Sequence, residues 1–111
     1  MKNVFKQIID GDLPCDKVFE NERIIAFKDI NPAAPVHILI VPKKELPNIA
    51  SVTAEDGPLL VEVIQIANEL AKKFKITDGY RLLTNNGEKA GQTIFHLHFH
   101  LIGGCHLGAL A

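Results

Sequence analysis

Three histidines at two-residue intervals, His96, His98 and His100, lie in the run HLHFHLI close to the C-terminal end of the chain. At the period of a strand, Ile94, His96, His98, His100 and Ile102 share one face, and Phe95, Leu97, Phe99 and Leu101 share the other. A helix turns roughly 100° per residue and would scatter the imidazoles, so a strand is expected over 94–102 with its apolar odd-numbered side facing a helix. A neutral imidazole attacks phosphorus well once one ring nitrogen is held as a donor, because that fixes the lone pair on the other. Neighbouring histidines can then protonate a leaving group and polarise phosphate oxygens, with backbone N–H groups of a glycine loop as helpers.

Two other readings compete. Side chains two residues apart on a strand are ~6.7 Å apart at their bases, so the three cannot readily converge on one ion. A catalytic zinc needs three protein ligands, and no spacing singles out His37, His106, Cys15 or Cys105 to complete a set. No metal and no cofactor are expected. Three structural histidines in a core would each need a buried partner.

The elements that must carry these residues can be read from pattern. Val4, Phe5, Ile8 and Ile9 recur at helical spacing before Asp10-Gly11-Asp12, which predicts a short N-terminal helix whose role is packing. Val18 to Glu20 and Ile24 to Phe27 flank a polar turn as a hairpin, and Val36 to Val41 is a central strand interrupted only by His37 and closed by Pro42. A helical turn is expected over 47–50. Thr53-x-x-Asp56 signals the start of a long helix whose apolar face is Leu60, Val63, Ile64, Ala67, Leu70, Ala71 and Phe74. Tyr80 to Thr84 is a fourth strand, and the polar stretch from Asn85 to Gln92, with Gly87 and Gly91, leads into the histidines. These elements indicate an α+β fold with the long helix on one face of a sheet.

Composition narrows the class. The 111 residues suit a single domain over 1–111, and 12 Lys+Arg against 13 Asp+Glu, net charge −1, argue against a nucleic-acid polymer or an anionic membrane as partner. No apolar run approaches the ~20 residues of a membrane span. Two distant cysteines without a C-x-x-C, and no signal-like start, suggest a reduced, cytoplasmic protein.

The residues resemble the histidine triad nucleotide hydrolases and transferases, whose motif is His-φ-His-φ-His-φ-φ with φ apolar. HLHFHLI fits every position, and the resemblance extends through AFKDINPAAPVHILIVPKK (26–44), GYRLLTNNG (79–87) and GQTIFHLHFHLIGG (91–104). It is similar to the Hint branch, the purine nucleoside phosphoramidases. The resemblance implies a five-stranded, mainly antiparallel sheet with one long and one short N-terminal helix, the sheet continuing across a homodimer. It implies that His98 takes the nucleotidyl group, with His96 and His100 flanking it and His37 completing the catalytic cluster beside His100. Asp29 would hold the ribose, Phe27 and Ile30 would wall the base pocket of an AMP or GMP moiety, and Asn85, Gly91, Gln92 and Thr93 would contact phosphate and leaving group. The implied reaction is cleavage of a purine nucleoside phosphoramidate or an aminoacyl nucleotide through a covalent nucleotidyl-His98 intermediate. A dinucleoside polyphosphate hydrolase of the same superfamily, or a nucleotide-binding scaffold with incidental hydrolysis, are the alternatives. Some bacterial relatives carry a zinc-binding cysteine pair near the N-terminus; here Asn3 and Lys6 stand around that place. Glu88-Lys89-Ala90 replaces small residues, and the tail CHLGALA is short.

Overall fold

A computed structural model describes residues 3–110. Helix α1 (Val4–Ile9) precedes the hairpin of β1 (Lys17–Glu20) and β2 (Ile24–Lys28), then β3 (Val36–Pro42), helix α2 (Gly57–Lys73), β4 (Tyr80–Leu83) and β5 (Phe99–Gly103). The five strands form one antiparallel sheet in the order β1-β2-β3-β5-β4. This is the expected α+β architecture. Among the described residues, no helix is long and apolar enough to cross a membrane, and both cysteines are unpaired.

Alternation sorts the sheet's two faces. Ile24, Ala26, Ile38, Ile40 and Leu101 point to α2 and pack with Val63, Ile66, Ala67, Leu70 and Ala71. Each buried Val, Ile or Leu among them contributes about 1.5–3 kcal/mol. Ile25, Phe27, Leu39 and Val41 point the other way and pack under Phe5 of α1, with Ile8 and Ile9 alongside. The second face carries the histidines, because Leu39 pairs with His100 and His37 with Ile102 across the β3–β5 ladder.

Three expectations need correction. The buried arc of α2 is rotated towards Ile66; Ile64 is 51% exposed and joins Val61, at 53%, on the outer surface. The helical turn predicted at 47–50 lies at Ile49–Ser51, where Asn48 caps it. Most consequentially, the strand predicted over 94–102 is regular only from Phe99. The β3–β5 ladder stops at Ile40–Phe99. Pro42 has no N–H to extend it, and the Leu97 N–H turns to the Leu46 carbonyl at 2.6 Å. The two-residue alternation therefore does not govern Phe95, which is 50% exposed and not packed on the helix side.

The start of α2 follows its signal closely. Thr53 and Asp56 bond reciprocally around a single 3₁₀ turn, Ala54–Asp56, that runs into α2. Asp56 also takes the Lys44 Nζ at 2.6 Å. These donors, Lys44 first, hold its carboxyl below the usual carboxylate range.

Candidate active site

His98 sits at the entrance of β5, buried, in the gap where the ladder has ended. Its Nδ1 lies 2.7 Å from the His96 carbonyl oxygen. A carbonyl only accepts, so Nδ1 carries the proton and Nε2 carries the lone pair. The Phe5 ring meets the His98 ring edge-on with centroids 4.8 Å apart. The Thr84 hydroxyl donates to the His98 carbonyl at 2.6 Å, fixing the backbone from the β4 side. Burial holds the His98 imidazole below its ordinary pKa, with the bond to the His96 carbonyl opposing in part.

A second chain of bonds fixes His100. The Ala33 N–H donates to His37 Nδ1 at 3.0 Å, so the His37 proton resides on Nε2. That nitrogen is 2.9 Å from His100 Nδ1, which must then accept and leave its own proton on Nε2. Burial first, then the neighbouring His98 and His37, push the His100 pKa down to about 4. His98 and His100, with ring centroids 5.2 Å apart, are thus both held below the ordinary imidazole pKa, His98 with a lone pair on Nε2 and His100 with a donor on Nε2.

Asp29 stands beside this pair. Its Oδ1 accepts from the Asn31 N–H at 2.8 Å, and its Oδ2 lies 3.4 Å from His37 Nε2. Asp29, His37 and His100 are the one metal-like grouping among the described residues. Two nitrogens on one tetrahedral zinc stand about 3.4 Å apart, given Zn–N bonds of about 2.0–2.1 Å. The shorter His37–His100 separation, and the proton that Ala33 forces onto His37 Nε2, suit a shared hydrogen bond better than an ion.

His98, His100, Asp29 and Thr93 line a cavity of about 460 Å³ whose walls include Phe27 and Leu39, within the usual size of small-ligand sites. Ile30 stands at its rim, 92% exposed. Of the other anticipated residues, His37 lies behind His100 and outside the cavity lining. His96 is 1% exposed with both ring nitrogens taken by the protein, Nε2 by the Pro42 carbonyl at 2.7 Å and Nδ1 by the Asn3 amide at 2.8 Å. No ring nitrogen of His96 is free for a ligand. Gln92 is 3% exposed and braces its loop: Nε2 donates to the Pro47 and Ile94 carbonyls, and Oε1 accepts from the Gly87 N–H. Gly91, at φ 98°, closes the 3₁₀ turn Glu88–Ala90 and donates its N–H to Glu88. That left-handed conformation is costly for residues with a Cβ. Asn85, half-buried at the exit of β4, is likewise outside the cavity lining.

The sequence matches the HIT domain family over residues 10–107. The chain belongs to the HIT domain family. A HIT-like protein of Chlamydia pneumoniae is 55% identical over 108 residues, covering 97% of this chain and 98% of the relative. Among solved structures, a HIT family hydrolase from Clostridium thermocellum superposes with a TM-score of 0.92 at 47% identity, covering 96% of this chain and 94% of that one. A histidine triad nucleotide-binding protein from Candida albicans gives a TM-score of 0.83 at 30% identity, covering 99% and 84%. The sheet, the long helix and the short helices agree with these HIT folds.

The HIT motif points to the histidines, but it leaves out residues that touch or aim them. Asn3, Phe5 and Thr84 bear on His96 and His98, and Ile8, Cys15 and Ile94 add to the cavity wall. Asn3 before an apolar run reads as a helix cap, which it is; that it also reaches 93 residues along the chain has no local signal.

Proposed function

We propose that this HIT protein is a cytoplasmic hydrolase, a single domain over 1–111, that cleaves purine nucleoside phosphoramidates or aminoacyl nucleotides to a nucleoside monophosphate. The carrying observation is the His98 ring: its Nδ1 proton is committed to the His96 carbonyl, and the ring lines a ligand-sized cavity beside a second neutral imidazole. Names given to structural neighbours, a HIT family hydrolase and a histidine triad nucleotide-binding protein, support the class.

In this reading His98 Nε2 attacks phosphorus and forms the P–N bond of a nucleotidyl-histidine. The scissile P–N or P–O bond breaks, and the leaving amine or acid departs with its proton balance made up from solvent. His100 offers its Nε2–H to a phosphate oxygen, and Asp29 accepts from ribose hydroxyls. Water then attacks the phosphorus and returns His98 to its neutral form. The apolar walls receive the purine. A panel of adenosine and guanosine phosphoramidates, aminoacyl adenylates and dinucleoside polyphosphates, ranked by kcat/KM, tests this directly. Release of an amine with one nucleotide supports the reading, and preferred release of two nucleotides moves the protein to the dinucleotide hydrolases.

Asp29→Ala is expected to weaken nucleoside monophosphate binding by roughly 10-fold or more, since each charge-assisted bond is worth about 1.5–3 kcal/mol. Calorimetric titration giving an unchanged Kd removes Asp29 from the ribose site.

The reading includes a homodimer. Strand β4 is an edge with one side unpaired in the sheet, a template for a symmetric antiparallel pairing. Val61, Ile64 and Asn68 share one helical stripe, and Asn68 hydrogen-bonds Tyr80 of β4, so the exposed apolar side chains of α2 lie towards that same edge. Sedimentation at micromolar concentration should give about twice the 12.2 kDa of the chain; a monomer sinks the proposal.

A further inference from the structure

We infer that Asn3 is a positioning residue for the proposed nucleophile, acting through His96. The inference rests on the hydrolase reading for its kinetic arm, and on geometry alone for the rest. Asn3 is the N-cap of α1: its Oδ1 accepts from the Phe5 N–H at 3.0 Å and from the Lys6 N–H at 3.1 Å. Backbone N–H groups face only an acceptor, so the side-chain oxygen is assigned and the other atom is the NH₂. That NH₂ lies 2.8 Å from His96 Nδ1, which must therefore be the unprotonated nitrogen of the ring. The His96 proton is on Nε2, where it meets the Pro42 carbonyl at 2.7 Å. Both ends of the buried ring are thereby specified, and with them the backbone carbonyl of His96 that takes the His98 Nδ1–H at 2.7 Å.

One side chain thus joins two systems. It closes the first turn of α1, whose second residue, Phe5, abuts His98, and it selects the tautomer of the histidine whose carbonyl aims His98. Docking of α1 and orientation of the nucleophile are a single hydrogen-bonded unit. A cap alone needs only an oxygen; the unit needs the acceptor and the donor on two separate atoms, which among the common cap residues only asparagine supplies, since serine and threonine carry both on one hydroxyl oxygen.

That difference sets the experiment. Asn3→Asp and Asn3→Ser both keep a good cap and both lose the amide donor; in Asn3→Asp an acceptor faces His96 Nδ1 and favours a second proton there. Long-range ¹H–¹⁵N spectra of the histidine rings, melting curves and steady-state kinetics on the best phosphoramidate are compared with the wild type. Both variants should melt close to the wild type, showing an intact cap. The His96 ring should leave its single tautomer, doubly protonated in Asn3→Asp and mixed in Asn3→Ser, with the His98 Nδ1 resonance displaced. kcat should fall on the order of 10- to 100-fold, the scale of a reacting group displaced without being removed, with KM within about twofold. Unchanged His96 and His98 spectra overturn the inference, as does a changed tautomer with kcat within twofold of wild type. A wild type that turns over none of the nucleotide substrates overturns the hydrolase reading instead, and the spectra then decide alone whether Asn3 sets the two rings.

Discussion

His98→Ala is expected to fold, to bind nucleoside monophosphate within about tenfold of the wild type, and to lose turnover on the order of 10⁴-fold or more. The size follows from placement. His100 keeps its lone pair towards His37 and its proton on the other nitrogen, and His96 has no free nitrogen at all, so neither can take over in-line attack. His96→Ala should behave differently. It leaves the Pro42 carbonyl without its partner in a buried place, costing about 1–3 kcal/mol of stability, and it lowers turnover only through misorientation, by the roughly 10²–10⁴-fold typical of a lost orienting or acid group. Rapid-quench mass spectrometry of the wild type should find one nucleotidyl group per active subunit on the peptide containing His98, labile to acid. An adduct on another residue, or no adduct under trapping conditions while turnover proceeds, removes the covalent mechanism.

Acid is the second strong lever. The His98 imidazole is held below its ordinary value of 6.5 chiefly by burial, so the acid limb of kcat/KM should have its midpoint below 6.5. Past that midpoint the fall should approach about tenfold per pH unit as the attacking lone pair is protonated. An acid limb with its midpoint at or above 6.5 contradicts the buried, neutral nucleophile. Stability should move in the same direction. His100 titrates near 4 when folded against 6.5 for its ordinary value, so between those limits the unfolded chain binds a proton that the folded chain refuses. The contribution is present above pH 6.5 and lost as pH falls towards 4. Urea titrations at pH 7 and pH 5 should therefore show a lower midpoint at pH 5, reduced less in His100→Phe than in the wild type.

Much of the architecture was legible because local and global signals agree. The apolar runs in Ile24–Lys28 and Val36–Pro42, the Thr53–Asp56 box and the polar turns all act over a few residues, and the structure obeys them. The rotation of α2 escaped because Ile64 and Ile66 are equally apolar; only the shape of the sheet beneath decides which is covered. The early end of β5 escaped for another reason. The residues that stop the ladder, Pro42 and Leu46, are some fifty positions away from the histidines they redirect. At the site, the family resemblance names His96, His98 and His100 and implies a backbone carbonyl that orients the His98 ring and a His37 that helps set the protonation of His100. It does not name Ala33 or Asn3, which assign the protons of His37 and His96 through contacts no linear pattern encodes.

The break in the ladder before Phe99 carries a lesson for anyone building such a site. On an uninterrupted strand pair, each carbonyl beside a histidine row is committed to the neighbouring backbone or turned from its own side chains. Grafting HLHFHLI onto a regular, fully paired strand would reproduce the spacing of the imidazoles and their common face. It would leave the middle ring without the oxygen that sorts its two nitrogens. The transferable part is thus a frayed strand end with one spare carbonyl two residues before the reacting ring, and a design should open the sheet there before placing any histidine.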